Sequence, residues 1–191
     1  GDSLFEQLRI DPFYRFVADK NPQIQVAIRK LINELEGDKT TIVHGDFSPK
    51  NIMVSMNDQV YILDFEGEPE STIRDRKVKQ PPLKDVAGLF RSFHYAIYAT
   101  IFNNIEQYNQ SQETLFNAAE LLYRYFTGVF LGTYVAKVQE ANLNIGYHQE
   151  RIFILEYCLL EKAVYELGYE LNSRPRWAVI PLKGISNIIN H

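Results

Sequence analysis

The chain has 191 residues, the size of one domain, and its 46% hydrophobic content is enough to build a core. With a formal net charge of −4, the chain lacks the excess of basic residues that is typical of nucleic-acid-binding proteins, which argues against nucleic acid as a partner. The sequence shows neither a signal peptide nor a run of about 18 apolar residues. Its single cysteine, Cys158, lies in an apolar helical pattern, so no disulfide framework is expected. These features predict a cytoplasmic protein without a membrane partner and with Cys158 packed in the core.

The first forty residues predict mainly helix. The pattern from Ser3 to Ala18 is mixed around Pro12, which is typical of short helix and turn. Residues 22–36 carry apolar side chains at helical spacing, and Gly37 suits a helix end.

The segment 44–51 reads His-Gly-Asp-Phe-Ser-Pro-Lys-Asn, and Asp-Phe-Glu begins thirteen residues after Asn51. Phosphoryl transfer needs a carboxylate that takes the proton of the acceptor hydroxyl, and oxygen ligands that hold Mg²⁺ on the ATP phosphates. Asp46 can be the catalytic carboxylate, while Asn51 and Asp64 can be the metal ligands. In the alternative interpretation, Asp46 only caps a turn and Asp64 only closes a strand. The segment therefore predicts a phosphotransferase catalytic loop, with Mg²⁺ as cofactor and ATP as co-substrate.

Two β-prone runs separate these motifs. Residues 52–55 and 60–63 flank the turn signal at 57–58, which predicts a hairpin. Such a hairpin returns the chain so that Asp64 ends near Asn51. The order of loop, hairpin and acid is more specific than either motif alone, because a motif gains weight from its structural context.

The rest of the chain predicts three long helices. Residues 67–82 are polar and rich in proline and cations, which suits an activation-segment-like loop or an ordinary solvated one. Apolar periodicity then predicts helices over 83–103, 113–141 and 148–172. Their predicted inward residues are Val86, Leu89, Phe90, Phe93, Ala96 and Ile97; Leu115, Ala119, Leu122 and Phe126; and Ile152, Leu155, Leu159, Ala163 and Leu167. The fold class expected is α+β, mostly α-helical, with one small β-hairpin.

The segment ahead of His44 lacks a glycine-rich phosphate loop and a strand lysine. Those parts cover and pair the ATP phosphates in two-lobed kinases. We therefore expect residues 1–191 to be the C-terminal lobe of a longer kinase, without its N-terminal nucleotide lobe.

The loop 44–51 together with Asp64 resembles the aminoglycoside/choline-kinase-like superfamily, in which His-Gly-Asp replaces the His-Arg-Asp of protein kinases. Three longer blocks are similar to maltokinases, the ATP:maltose 1-phosphotransferases of the trehalose–glycogen route. The blocks are residues 64–69, residues 82–96, and the C-terminal runs 161–170, 174–177 and 180–182. The loop departs from the maltokinase pattern at Ser48, where histidine is common, and at Asn51, where glutamine is common.

This resemblance implies that the chain is the protein-kinase-like C-terminal lobe of an enzyme that phosphorylates maltose. It implies Asp46 as the catalytic base, with Asn51 and Asp64 as Mg²⁺ ligands at a metal-binding strand end over 64–66. It also implies a sugar-site helix and tail over 161–182, and a trehalose synthase-type partner, fused or associated. Asparagine at position 51 keeps an amide oxygen for the metal.

The residue types and spacing at the predicted sugar site also suit sugar binding. Tyr165 and Tyr169 are four residues apart on a helix and share a face. Arg174 follows the helix, and Trp177 is the only tryptophan. Flat aromatic walls with a few polar groups suit a sugar. With twelve tyrosines in the chain, the alternative is that these aromatics are packing residues.

Supporting roles are expected for three further residues. His44 is expected to order the loop by hydrogen bonding. Asp85 either caps the helix that it opens or braces the backbone of the catalytic loop. Arg91 is either a charge partner in the cleft or a surface residue.

Two rival functions remain at this stage. One is another small-molecule kinase of the same fold, acting on an aminoglycoside, choline or another sugar; a cationic acceptor would require several carboxylates facing it. The other is a catalytically silent sugar-binding or docking domain. For the isolated lobe we predict negligible turnover.

Overall fold

The computed structural model describes residues 40–65, 67 and 79–189. The helix predicted over 22–36, Glu66 and most of the polar loop lie outside the described residues. The predicted α+β, mostly helical fold class is confirmed, because four long or medium helices follow one two-stranded sheet in the described part of the chain.

The sheet is the predicted hairpin. A 3-10 turn at Pro49–Asn51 leads into β1 (Ile52–Val54), which pairs antiparallel with β2 (Val60–Ile62). The turn between the strands places Asp58 at a φ of 58°, in the left-handed region that aspartate tolerates better than most residues. The local turn chemistry therefore accounts for where the chain reverses.

The hairpin register positions the predicted metal-binding residues. Ile52 is opposite Ile62, and beyond this pair the N–H of Leu63 donates to the carbonyl of Asn51 at 2.9 Å. Asp64 is the next residue in the chain. The hairpin thus returns Asp64 to the level of Asn51, as its length predicted.

The helices are α1 (Leu83–Asn104), α2 (Gln112–Glu140), α3 (His148–Ser173) and α4 (Val179–Ile189). The first three agree with the predicted bounds to within one residue. The fourth was not predicted. Pro181 is compatible with it because it lies in the first turn, where a backbone N–H would have no partner within the helix. Short 3-10 turns at Ile105–Gln107 and Pro175–Ala178 make the connections before α2 and α4.

Two apolar clusters hold the helices together. The first lies mainly between α1 and α3, and it includes Cys158, so the predicted core position of that cysteine is confirmed. The second joins α1, α2 and α4 around fully buried Tyr98 and Ile180. Because α1 contributes to both clusters, it packs against each of the other three helices.

The inward stripe predicted for α2 is only partly right. Ala119 is buried, but Leu122 and Phe126 are 44% and 46% exposed. Within the described residues α2 packs mainly against α1, so a narrower stripe is covered than periodicity suggests. Ile152 on α3 was also predicted to face the core, but it lies near the start of the helix and is exposed.

Among the described helices, none combines the length and the apolar character needed to cross a membrane.

Candidate functional site

Asp85 braces the predicted catalytic loop, residues 44–51. Its Oδ2 accepts a hydrogen bond from the N–H of His44 at 2.7 Å, and its Oδ1 accepts one from the N–H of Gly45 at 2.9 Å. The cap residue of α1 is Pro82, and Asp85 lies in the first turn. Gly45 has a φ of 86°, which suits glycine. One carboxylate therefore fixes two consecutive backbone N–H groups at this bend.

His44 connects the loop to the hairpin. Its buried ring donates from Nε2 to the carbonyl of Leu63 at 2.8 Å, while Nδ1 accepts from the N–H of Asp46 at 3.3 Å. Since Nδ1 accepts from a backbone amide, the proton is on Nε2. The ring also lies against Phe65, with centroids 4.8 Å apart. His44 therefore holds Asp46 and the residue before Asp64 in one arrangement.

Asp46 faces Lys50, a residue that the sequence analysis did not single out. Lys50 Nζ donates to Asp46 Oδ2 at 2.7 Å, and the two side chains are 65% and 22% exposed. This hydrogen bond raises the pKa of Lys50, and the negative charge of Asp64 adds to the effect. The sequence feature that could have indicated this ion pair is the spacing of four residues between Asp46 and Lys50.

Asn51 and Asp64 present oxygens suited to Mg²⁺. Asn51 is buried, and its Nδ2 donates to the carbonyl of Asp46 at 2.9 Å, so the atom that it can offer a cation is Oδ1. Asp64 is exposed and has a φ of 66°. Mg²⁺ takes one or two carboxylate or amide ligands and completes its shell with water and phosphate. In the described chain no cluster of three or more His, Cys, Asp or Glu side chains is placed to hold a metal. A cation here would therefore rely on nucleotide oxygens as well.

A groove with a volume of about 550 Å³ opens beside the predicted catalytic loop. Residues 48–50 form one side of it, and α1 supplies Arg91 and Tyr95. One face of α3 and its end supply Tyr165, Glu166, Tyr169, Glu170 and Arg174. The volume falls within the range of roughly 300–1,000 Å³ that is common for small-molecule sites.

A model of a phosphotransferase enzyme family matches residues 4–113, which is more than half of the chain. The chain belongs to this phosphotransferase family. The fold is similar to solved structures of glucosamine kinase, with a TM-score of 0.64. Crystal form B is 20% identical, covering 87% of this chain and 39% of that one. A complex with glucosamine, ADP and inorganic phosphate is 18% identical, and the match covers 97% of this chain and 45% of that one.

These likenesses confirm the predicted kinase-like fold. The chain spans less than half the length of the glucosamine kinases that it matches. The family supports the broader of the two sequence resemblances, to the aminoglycoside/choline-kinase-like superfamily, and it leaves maltose as a proposal.

Three of the four residues predicted to bind sugar line the groove. Tyr165 and Tyr169 are 57% and 54% exposed on α3, and Arg174 follows them. Trp177 is not among the lining residues. Its ring packs against Phe102, with centroids 5.8 Å apart, and lies 4.4 Å from the guanidinium of Arg174. Trp177 therefore contacts the groove through Arg174, and a direct role in sugar binding stays a prediction.

The polar side chains of the groove form two acid–base pairs. Arg91 Nε donates to Glu166 Oε2 at 2.8 Å, and its Nη2 lies 2.6 Å from the same oxygen. Arg174 donates from Nε and Nη2 to the two oxygens of Glu170 at 3.0 and 2.6 Å. Burial raises the pKa of Glu166, which its arginine partner partly offsets. Sequence reasoning missed both glutamates, although their spacing of four residues beside the tyrosines was the available signal.

Arg91 is a cleft residue and not a surface residue, since it is only 2% exposed. Its Nη1 donates to His94 Nδ1 at 2.9 Å, and His94 Nε2 donates to Glu120 Oε1 at 3.0 Å. Burial lowers the pKa of His94, so the ring is neutral. Glu120 also accepts from the hydroxyl of Tyr98 and from Asn187 on α4. This network connects Arg91 in the groove to Glu120 on α2 and Asn187 on α4.

Proposed function

We propose that residues 1–191 form the C-terminal lobe of an ATP- and Mg²⁺-dependent sugar kinase, with maltose as the expected acceptor. One observation carries the proposal: a single short loop supplies Asp46, Asn51 and one side of the groove. The chain's family and the sugar- and ADP-bound complex of a protein with a similar fold support it.

The loop geometry fits phosphoryl transfer. Asp46 is the base that takes the proton of the acceptor hydroxyl, and its partner Lys50 places a positive charge where the transferred phosphoryl group carries negative charge. Asn51 and Asp64 would hold Mg²⁺, which when bound neutralises charge on the ATP phosphates. Asp85 and His44 are positioning residues, because their hydrogen bonds are to the backbone of the loop and of the strand end.

The groove chemistry fits a sugar. Exposed tyrosines on one helix face suit the apolar faces of pyranose rings, and paired charges beneath them suit hydroxyl groups. The maltokinase-like blocks support maltose among the sugars, phosphorylated at the anomeric hydroxyl. They also support a trehalose synthase-type partner and a cytoplasmic location, where ATP is available.

An amino sugar is the second candidate acceptor. Two glutamates line the groove, and a protein with a similar fold has been crystallised with glucosamine. We favour a neutral sugar because each of these glutamates is already paired with an arginine.

The test is an acceptor panel with the full-length protein that contains this chain. ADP release is measured with maltose, glucose, glucosamine, an aminoglycoside and choline. Preference for choline or the aminoglycoside would refute a sugar kinase, and absence of ADP release with every acceptor would favour the catalytically silent domain.

A variant pair tests the assigned base. Asp46→Asn should lower kcat by about 10²–10⁴-fold, the contribution typical of a general base. Asp58→Asn is the matched control: Asp58 lies in the hairpin turn, outside the groove, at a φ that asparagine tolerates. Near-native turnover in Asp46→Asn would refute the assignment.

A further inference from the structure

The two glutamates of the groove differ in how completely they are satisfied. Glu170 is 1% exposed, and both of its carboxylate oxygens accept hydrogen bonds. Oε1 accepts from the hydroxyl of Tyr95 at 3.1 Å and from Arg174 Nη2, and Oε2 accepts from Arg174 Nε. A new ligand would have to displace one of these donors to reach Glu170.

Glu166 keeps one oxygen for a ligand. Both contacts from Arg91 are to Oε2, while Oε1 accepts no hydrogen bond from the described residues. The side chain is 14% exposed and lines the groove. A carboxylate oxygen without a donor, at the edge of a groove, is a natural acceptor for a hydroxyl group.

Each glutamate also has its charge balanced by an arginine. Arg91 is 2% exposed and holds Glu166, while Arg174 is 46% exposed and holds Glu170 through two parallel hydrogen bonds. The two-oxygen fork of Arg174 on Glu170 is among the strong kinds of hydrogen-bonded ion pair. An ammonium group entering the groove would meet two arginines, and both of the carboxylates that α3 contributes to the lining are already paired, so the groove disfavours a cationic sugar.

We propose, on the basis of the sugar-kinase function above, that this pairing sets acceptor specificity. Glu166 Oε1 binds a hydroxyl of the acceptor, and Arg174 selects uncharged sugars by masking Glu170 from an amino group. Arg174 is then a specificity-determining residue that acts through Glu170.

The test unmasks Glu170 in the full-length protein. Arg174→Gln removes the charge, Arg174→Lys keeps it, and Arg176→Gln alters an exposed arginine two residues away. Glucosamine and N-acetylglucosamine form a matched pair that differs in charge at the same nitrogen. Each is assayed for inhibition of phosphorylation of the best neutral acceptor, so neither has to be a substrate.

Arg174→Gln should shift the inhibition ratio toward glucosamine on the order of ten-fold, the size of one charge-assisted hydrogen bond. Arg176→Gln should leave the ratio within about two-fold of the native one. Arg174→Lys keeps the charge but not the two parallel hydrogen bonds, so it should shift the ratio less than Arg174→Gln does. Glu166→Gln should raise KM for the neutral acceptor about ten-fold with little change in kcat, because it affects binding and not the chemical step. Circular dichroism establishes that each variant is folded, and if Glu166→Gln does not fold, the Arg174 variants decide.

An unchanged ratio in folded Arg174→Gln overturns the inference, and so does a native enzyme that prefers glucosamine to neutral sugars. If neutral sugars are phosphorylated while the ratio does not move, only this inference fails. If the native protein phosphorylates no sugar, the proposed function fails and the inference fails with it.

Discussion

The brace made by Asp85 gives a stability prediction that the structure allows to be worked out. Asp85→Ala removes the acceptor of two backbone N–H groups, those of His44 and Gly45, at 2.7 and 2.9 Å. Both lie on a bend that Gly45 makes with a left-handed backbone. Without the carboxylate the bend has to be held by the remaining contacts of the loop.

A hydrogen bond to a charged group contributes about 1.5–3 kcal/mol to stability, so two would contribute about 3–6 kcal/mol if fully buried. Asp85 is half-buried, and water can replace part of the loss, so the lower end of this range, about 3 kcal/mol, applies. Its position in the first turn of α1 adds about 0.3–1 kcal/mol from the helix dipole. The expected loss is thus about 3–4 kcal/mol for Asp85→Ala, and an intermediate value for Asp85→Asn, which keeps one acceptor oxygen.

Urea unfolding of the 191-residue chain, followed by circular dichroism, measures this loss. Glu113→Ala is the matched control, because Glu113 is an exposed acidic residue in the first turn of α2 and shares only the dipole contribution. The midpoint should fall far more in Asp85→Ala than in Glu113→Ala, at an unchanged m-value. Equal losses in the two variants would refute the brace and leave Asp85 as an ordinary first-turn acid.

Two further predictions concern packing and pH. Gly128 faces open space on α2, so Gly128→Ala should stabilise the chain by about 0.5–1 kcal/mol. Gly88→Ala should instead give no gain or a loss of about 1 kcal/mol, because the new Cβ would lie 3.0 Å from the carbonyl oxygen of Phe47. Equal increases in the urea midpoint of the two variants would contradict this. Glu120 is subject to burial, which would raise its pKa, but hydrogen bonds outweigh this and hold the pKa at about 2, below the ordinary 4.5. Its stabilisation is therefore present above about pH 4.5 and lost as pH falls toward 2. Glu120→Gln should have a free energy of unfolding roughly 2 kcal/mol below that of the native chain at about pH 7, and the difference should be much smaller at about pH 3. A difference in unfolding free energy that does not change with pH would rule out this account.

The elements that could be predicted are those with a strong local signal. The hairpin had β-prone runs on both sides of an Asn-Asp turn, and α1 to α3 had long apolar periodicity, so both kinds of element were found with nearly correct bounds. Helix α4 was missed because Pro181 usually marks a break, and only its placement in the first turn makes it harmless. The exposure of Leu122 and Phe126 depends on which helices cover α2, and periodicity does not contain that information.

In the candidate site, too, the residues of a local motif could be predicted and the long-range pairs could not. Asp46, Asn51 and Asp64 belong to a compact motif whose geometry follows from one hairpin, so sequence reasoning could bring them together. The pairing of Arg91 with Glu166 joins residues 75 positions apart, and it depends on how α1 crosses α3. No local pattern specifies that crossing. Long-range ion pairs of this kind therefore had to come from the structure.

Cys158 gives this chain a built-in reporter. Its thiol is 5% exposed in the cluster between α1 and α3, and burial raises its pKa to about 12. Thiol reagents require the thiolate, so they react with Cys158 in molecules in which the packing between α1 and α3 has opened. The labelling rate in native buffer therefore measures how often the cluster between α1 and α3 opens. The same protection allows a spectroscopic probe to be attached through a second cysteine engineered at the groove rim while Cys158 is left in place.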